Sequence, residues 1–254
     1  MPLSLLSNKL IMSQEKSKQI DHIYVLNVKK FTKRRAFMEK QLASEGLKAE
    51  FIIDWDADEL SDEVIDCYFT KDNNLTDAQK SCALKHIVAL NKVSESNSEF
   101  VLILEDDAVF EKDFNLGLQR ALTQSTQFSD NKVIYIGSGG NFFTPKSHRK
   151  SGQYLYVGTR GRFADSYIIN SITAQKRLDW IMMHKISDPI DNQFEQIDRQ
   201  LGIEMVWLED PVVEQGSKNG LFDSTLERAP PTWIQIWLFA FEKLKRKYIY
   251  QLWR

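Results

Sequence analysis

The chain has few cysteines: Cys67 and Cys82 are the only two in 254 residues. They form no CxxC pair, and two thiols make no disulfide framework, so both read as reduced thiols of a cytoplasmic protein. There is no surplus of either charge. Lys and Arg number 33 against 35 Asp and Glu, which removes any global case for nucleic-acid binding. No stretch approaches the ~18 uninterrupted apolar residues of a membrane span. The short apolar start at 2–6 lacks a basic lead and a long apolar core, so residues 1–19 read as a flexible N-terminus and not as a signal peptide. Met12 is an alternative start. Internal repeats, low-complexity linkers and a GxGxxG dinucleotide fingerprint are all missing, and the composition excludes collagen, coiled coil and disorder.

What is present suits one α/β domain with a small appendage: 43% hydrophobic and 27% charged residues. A strand is predicted at 20–27, followed by a helix over 32–45 with Thr32 as N-cap and Gly46 as its stop. Phe37, Met38 and Leu42 supply its inward face. A second strand at 50–54 completes a β-α-β unit and favours a parallel sheet. The acidic stretch 54–66 falls in loops with a short helix. Thr76 and Gln79 make a capping box, opening a helix to about residue 94. The continuous apolar run 100–104 (FVLIL) reads as a strand buried on both faces. Further strands are predicted at 132–136, 154–157, 165–170 and 204–208, and helices at 113–122, 171–184 and 188–201. Strand-helix alternation gives way to a more strand-rich half, which suggests a nucleotide-binding half followed by one for a second substrate.

The run 100–104 ends in Glu105-Asp106-Asp107. Three adjacent carboxylates repel one another, and burying one without a partner costs several kcal/mol or shifts its pKa. Ligands of open α/β sheets gather at the carboxyl ends of strands, and carboxylate oxygens suit a hard cation such as Mg²⁺ or Mn²⁺. On extended backbone Glu105 and Asp107 share one face and Asp106 takes the other. The metal is therefore expected on Glu105 and Asp107, while an acidic turn that caps the strand is the bland alternative. The loop 137–140 (GSGG) can bring backbone close to a sugar or phosphate, or form a plain turn.

Four motifs, in order, resemble glycosyltransferase family 25, the lipooligosaccharide and procollagen galactosyltransferase group. They are Val25-Leu26-Asn27 with Arg34, the helical segment 80–86 (KSCALKH), Leu104-Glu105-Asp106-Asp107-Ala108, and Pro189-Ile190-Asp191. The resemblance spans 20–217 and departs from the family pattern at Lys85, where serine is usual, and in the lead-in 79–81. It implies a GT-A-like nucleotide-binding mixed sheet with flanking helices, a UDP-sugar donor, Mn²⁺ or Mg²⁺, inversion at the anomeric carbon and a glycan or glycolipid acceptor. It also directs attention to Asn27, Arg34, Cys82, His86, Asp106 and Asp165 around the donor. Arg34 can pair with a phosphate or the uracil edge, although a solvated helix charge is the plainer reading. A lone His86 beside apolar residues is otherwise a satisfied core histidine, and Cys82 packs more readily than it reacts. Asp165 is a candidate contact to the donor sugar. Inverting transfer needs one general base. Asp191 is the first candidate and Asp188 the second, although Asp188 also suits the N-cap of the helix that Pro189 opens.

Beyond Pro230-Pro231, residues 233–254 place Trp233, Trp237, Phe241, Leu244, Tyr248 and Leu252 on one helical face beside a basic series that includes Lys243, Lys245 and Arg246. A glycosyltransferase domain over 20–228 and a basic amphipathic helix over 229–254 are expected. The helix suits an anionic membrane surface, here the inner face of the cytoplasmic membrane, or docking on the domain or a second subunit. A metal-dependent nucleotidyltransferase and an inactive glycan- or membrane-binding module are the rival readings. The first would want a basic phosphate-binding loop near the acidic pair, and none is visible.

Overall fold

The computed structural model describes residues 18–217, 221, 241 and 244–249. The expectation for 1–19 therefore falls almost wholly outside the described residues, and so does most of the amphipathic helix expected at 233–254. Among the described residues no helix is long and apolar enough to cross a membrane.

The chain runs β1 (His22–Leu26), α1 (Thr32–Ser44), β2 (Glu50–Ile52), α2 (Asp62–Tyr68), α3 (Asp77–Glu95), β3 (Val101–Glu105), β4 (Ala108–Phe110), α4 (Phe114–Gln124) and β5 (Lys132–Tyr135). It continues through β6 (Leu155–Val157), β7 (Ser166–Ile169), α5 (Ser171–His184), α6 (Ile190–Leu201), β8 (Glu204–Leu208) and β9 (Val213–Gln215). Seven strands form one mixed sheet in the order β2-β1-β3-β7-β5-β8-β6. β1 pairs in parallel with β2 and β3, whereas β7 runs antiparallel between β3 and β5. β4 and β9 make a separate two-stranded antiparallel sheet.

Every residue from Val101 to Leu104 is fully buried, as a continuous apolar run requires of a strand covered on both faces. One cover is built from Leu84, Ile87 and Leu90 of α3 with Leu178 and Ile181 of α5 and Phe194 of α6. The other uses Met38 and Leu42 of α1 with Phe114 and Leu118 of α4. This is a helix-sheet-helix layering whose parallel strands β1 and β3 end at the same edge.

Local signals account for several helix ends. Thr76 Oγ1 accepts from Gln79 N, and the Gln79 side chain answers the Thr76 backbone, completing the capping box. Asn170 accepts from Thr173 N at the start of α5. Gly46, at φ +70°, follows α1 in the left-handed region that glycine enters without steric cost. Two cap assignments are corrected. Phe31, not Thr32, is the N-cap of α1, and Thr32 is already helical. Pro189, not Asp188, caps α6, whose first residue is Ile190; the Asp188 carboxylate accepts instead from Gln196 Nε2 at 2.8 Å. Extended backbone also stops at Glu105, and Asp106 and Asp107 form a turn, so strand alternation does not set their directions.

Candidate functional site

Leu26 and Glu105 are register partners at the ends of β1 and β3, so the β1–α1 loop faces the acidic turn. That turn is divided by its partners. Asp106, 5% exposed, accepts from Asn27 Nδ2 at 2.8 Å and from Arg34 Nη1 at 2.8 Å. Asp106 thus braces the first turn of α1 against the end of β3, with Asn27 and Arg34 as its partners. Burial outweighs the Arg34 guanidinium and raises its pKa.

Asp107 is buried and is tied to the segment after β9: its carbonyl accepts from Gly216 N at 2.8 Å and its Oδ2 from Ser217 N at 3.3 Å. Its Oδ1 has no hydrogen-bond partner among the described residues. Glu105 keeps 19% of its side chain exposed. Burial and the charges of Asp107 and Asp106 push its pKa up to about 8. Glu105 N donates to Asp165 O at 2.8 Å, which sets the Asp165 backbone beside the acidic strand end. The Asp165 side chain is buried, with Oδ1 accepting from Ser166 Oγ at 2.8 Å and Oδ2 unpartnered among the described residues. Burial, then Glu105, Asp191 and Asp107, raise its pKa well above the usual carboxylate range. Asp191, on the first turn of α6, accepts from Ala164 N at 2.5 Å. Glu105, Asp107, Asp165 and Asp191 therefore share one electrostatic neighbourhood; Asp188 is engaged with Gln196 on α6.

α3 supplies the wall opposite the acidic turn. Cys82 and His86 are one turn apart and face Glu105 together. Cys82 Sγ lies 3.7 Å, and His86 Nε2 3.6 Å, from Glu105 Oε1. Burial and the Glu105, Asp191 and Asp107 charges raise the Cys82 thiol well above its ordinary range. Burial lowers the His86 pKa to about 3, with Asp191 opposing, so the ring is neutral at pH 7.

A cleft of about 280 Å³ opens between the β1–α1 loop and α3, lined by Phe31, Arg34, Ser81, Cys82, Lys85 and Glu105 among others. It is near the lower end of small-ligand pocket sizes, roughly 300–1,000 Å³. Its outer wall rests on a residue that motif reasoning set aside. Lys85, noted from the sequence only as a departure from the family pattern, is 2% exposed. Its Nζ donates to Asp54 O at 2.7 Å and to Asp56 Oδ1 at 2.8 Å, while Asp56 Oδ2 accepts from Lys29 N at 2.9 Å. Ser81 Oγ donates to Trp55 O at 2.6 Å. Together they hold Trp55 at φ +62°, a costly conformation for a bulky residue. The signal was a lysine one turn after Ser81 on an otherwise apolar helix face, which demands a buried partner. The GSGG loop also gains a role: a Cβ on Gly137 would sit 2.3 Å from Ser166 Oγ and 2.5 Å from Asp165 Oδ1, so only glycine lets Asp165 take its place.

The architecture is a mixed α/β sheet covered by helices, with a carboxylate cluster and a cleft at the ends of its parallel strands β1 and β3. The sequence profile of glycosyltransferase family 25 (LPS biosynthesis protein) matches residues 20–193, more than half of the chain, and the chain belongs to that family. It is 28% identical over 184 residues to a glycosyltransferase 25 family member of Aedes aegypti, covering 68% of this chain and 30% of that protein. A Drosophila melanogaster member is 31% identical over 136 residues, covering 48% of this chain and 22% of that protein. The chain thus spans less than a third of the length of these relatives. Among solved structures, the inositol-1-phosphate CTP transferase from T. maritima aligns at a TM-score of 0.41 and 10% identity, over 90% of this chain and 98% of that one. Mouse xyloside xylosyltransferase 1 in its apo form aligns at 0.37 and 11%, over 72% and 83%.

Proposed function

We propose that the chain is an inverting hexosyltransferase that moves galactose or glucose from a UDP-sugar to a hydroxyl of a bacterial lipooligosaccharide, lipopolysaccharide or other surface glycan. The observation that carries this reading is the group Glu105, Asp107, Asp165 and Asp191 at the strand ends, beside the cleft between α1 and α3. Among the described residues Asp107 Oδ1 and Asp165 Oδ2 are buried without hydrogen-bond partners, and burial, then the neighbouring carboxylates, raise the Asp165 pKa. Both facts fit a divalent cation, and Glu105 and Asp107 are the residues that would hold Mn²⁺ or Mg²⁺. When bound, such a cation supplies Lewis-acid stabilisation of the leaving diphosphate.

The chain's own groups divide the remaining work. Phe31 lines the cleft beside Arg34, whose guanidinium carbon lies 4.8 Å from the Phe31 ring centroid. That pair suits a uracil face and a phosphate or uracil edge. Asn27 and Asp106 position Arg34 for this task. Asp165 orients the donor sugar. Asp191 takes the acceptor hydroxyl proton as the oxygen attacks the anomeric carbon; the bond to the diphosphate breaks on the opposite face and UDP leaves. The enzyme works at the inner face of the cytoplasmic membrane. Residues 233–254, basic and Trp-rich, draw it to anionic lipid, where a glycolipid acceptor lies in the same plane.

The test is a panel of UDP-sugars with Mn²⁺ and crude glycolipid acceptor. Release of UDP from UDP-galactose or UDP-glucose, with a product of inverted anomeric configuration, is expected. Release from none of them sinks the reading.

A further inference from the structure

Cys82, His86 and Glu105 present one sulfur, one nitrogen and one oxygen within 4.8 Å of one another. We infer that these three side chains form a site for a borderline-soft divalent cation such as Zn²⁺, which shares the Glu105 carboxylate with the Glu105–Asp107 pair but differs from it in donor chemistry. Tetrahedral zinc with bonds of ~2.0–2.3 Å sets its donor atoms roughly 3.4–3.7 Å apart. The Cys82–Glu105 and His86–Glu105 separations of 3.7 and 3.6 Å come close to this spacing, and all three atoms lie within 4.8 Å of one another.

The imidazole supplies the independent observation. His86 is fully buried, and its Nε2, on the side facing Glu105, has no hydrogen-bond partner among the described residues. Its other nitrogen, Nδ1, pairs with Tyr167 Oη at 3.1 Å. In the tautomer whose Nδ1–H donates to Tyr167, Nε2 is available as a ligand 3.6 Å from Glu105 Oε1, and Tyr167 is the outer-sphere partner that orients a metal-bound histidine. Phe194 edges against the ring at 5.5 Å between centroids and fixes its plane. Cys82 and His86 lie at i and i+4 of a rigid nineteen-residue helix, a spacing that converges two ligands without loop ordering. Cys82 and Glu105 also line the cleft, so an ion has an entry path and a fourth position for water or an anionic ligand. On binding, the Cys82 thiol proton and the proton that Glu105 holds below its raised pKa both leave to solvent as the sulfur–metal and oxygen–metal bonds form. Thiolate and carboxylate then neutralise the cation in a low-dielectric wall.

This claim needs no sugar chemistry, so its test reads metal alone. The full chain, stripped of metal, is titrated with Co²⁺ and then with Zn²⁺. One Co²⁺ per chain with a sulfur-to-cobalt charge-transfer band, displaced by stoichiometric Zn²⁺, is expected. Cys82→Ser should abolish the band and weaken zinc binding at least tenfold, Tyr167→Phe should weaken it about tenfold, and Cys67→Ser should leave both unchanged. His86→Gln alters a buried ring, so circular dichroism accompanies it; Cys82→Ser is nearly isosteric and decides the matter if the histidine variant does not fold. Absence of the band in the wild type, or its survival in Cys82→Ser, overturns the assignment.

Discussion

Replacing Arg34 by methionine should test the division of the acidic turn more sharply than any loss of activity. The variant removes the ion pair at 2.8 Å while Asn27 still donates to Asp106. Asp106 has 7% side-chain exposure and Arg34 11%, so the stranded carboxylate cannot recover its hydration by a small shift. Breaking a buried pair from one side costs about 3–5 kcal/mol, and the partial exposure here points to the lower end, ~3 kcal/mol. At about 2–4 °C per kcal/mol for a chain of this size, the midpoint of thermal unfolding should fall by roughly 6–12 °C. The pH dependence supplies a second signature. The folded pKa of Asp106 is already above its ordinary value, and loss of Arg34 removes a lowering influence. A carboxyl whose folded pKa exceeds its unfolded pKa binds its proton more tightly when folded. Its stabilising contribution is fully present below the unfolded pKa and is lost as pH rises through the folded pKa. The deficit of Arg34→Met relative to wild type should therefore be largest near neutral pH and shrink as pH falls into the carboxylate range. Arg34→Met/Asp106→Asn should recover most of the loss, because an amide carries no charge to strand. Unfolding by urea, followed by circular dichroism at several pH values, reads all three. A loss below ~1 kcal/mol, or a deficit independent of pH, would refute the claim that Arg34 compensates a buried Asp106 charge.

Three further outcomes are expected. Glu105, with its pKa pushed up to about 8, should make the metal-free protein lose stability as pH rises through that value; Glu105→Gln should flatten this loss, and Mn²⁺ should reverse it in the wild type, as thermal unfolding from pH 6 to 9 would register. Gly137→Ala should force apart Asp165 and Ser166, whose atoms stand 2.5 and 2.3 Å from the new Cβ, costing about 1–3 kcal/mol and lowering turnover more than donor affinity. Unchanged stability there would mean that the loop yields freely. Deletion of 233–254 should reduce partition onto anionic liposomes, while neutral liposomes serve as the control; equal partition of both forms onto anionic vesicles would remove the membrane role.

The sheet was legible because its strands announce themselves in different ways. FVLIL is apolar at every position since both faces are covered, and the first β-α-β unit carries its own helix stop at Gly46. The capping box at Thr76 and Gln79 fixed the start of α3 by local hydrogen bonds alone. β4 and β9 escaped because their pairing joins positions about a hundred residues apart, which no local pattern announces. Their small sheet nonetheless determines where Asp107 sits, through Gly216 and Ser217. Strand alternation separated Asp106 from its neighbours by a rule that does not apply beyond Glu105. The actual separation comes from partners, Asn27 and Arg34, supplied by another element. Lys85 shows the same limit: its residue type hints at a buried partner, but only the fold brings Asp54 and Asp56 to it. Asp188 lost the N-cap to Pro189 because the chain enters α6 one residue later than the acidic side chain would require.

The central claim is that the carboxylates at the strand ends bind a sugar nucleotide through a divalent cation, and calorimetric titration of UDP tests it most directly. Wild-type protein should bind UDP with Mn²⁺ and lose at least tenfold in affinity when the metal is chelated, whereas Glu105→Gln/Asp107→Asn should show the weak affinity in either condition. Equal UDP affinity with and without Mn²⁺ in the wild type, or undiminished Mn²⁺-dependent binding in the double variant, would contradict the account.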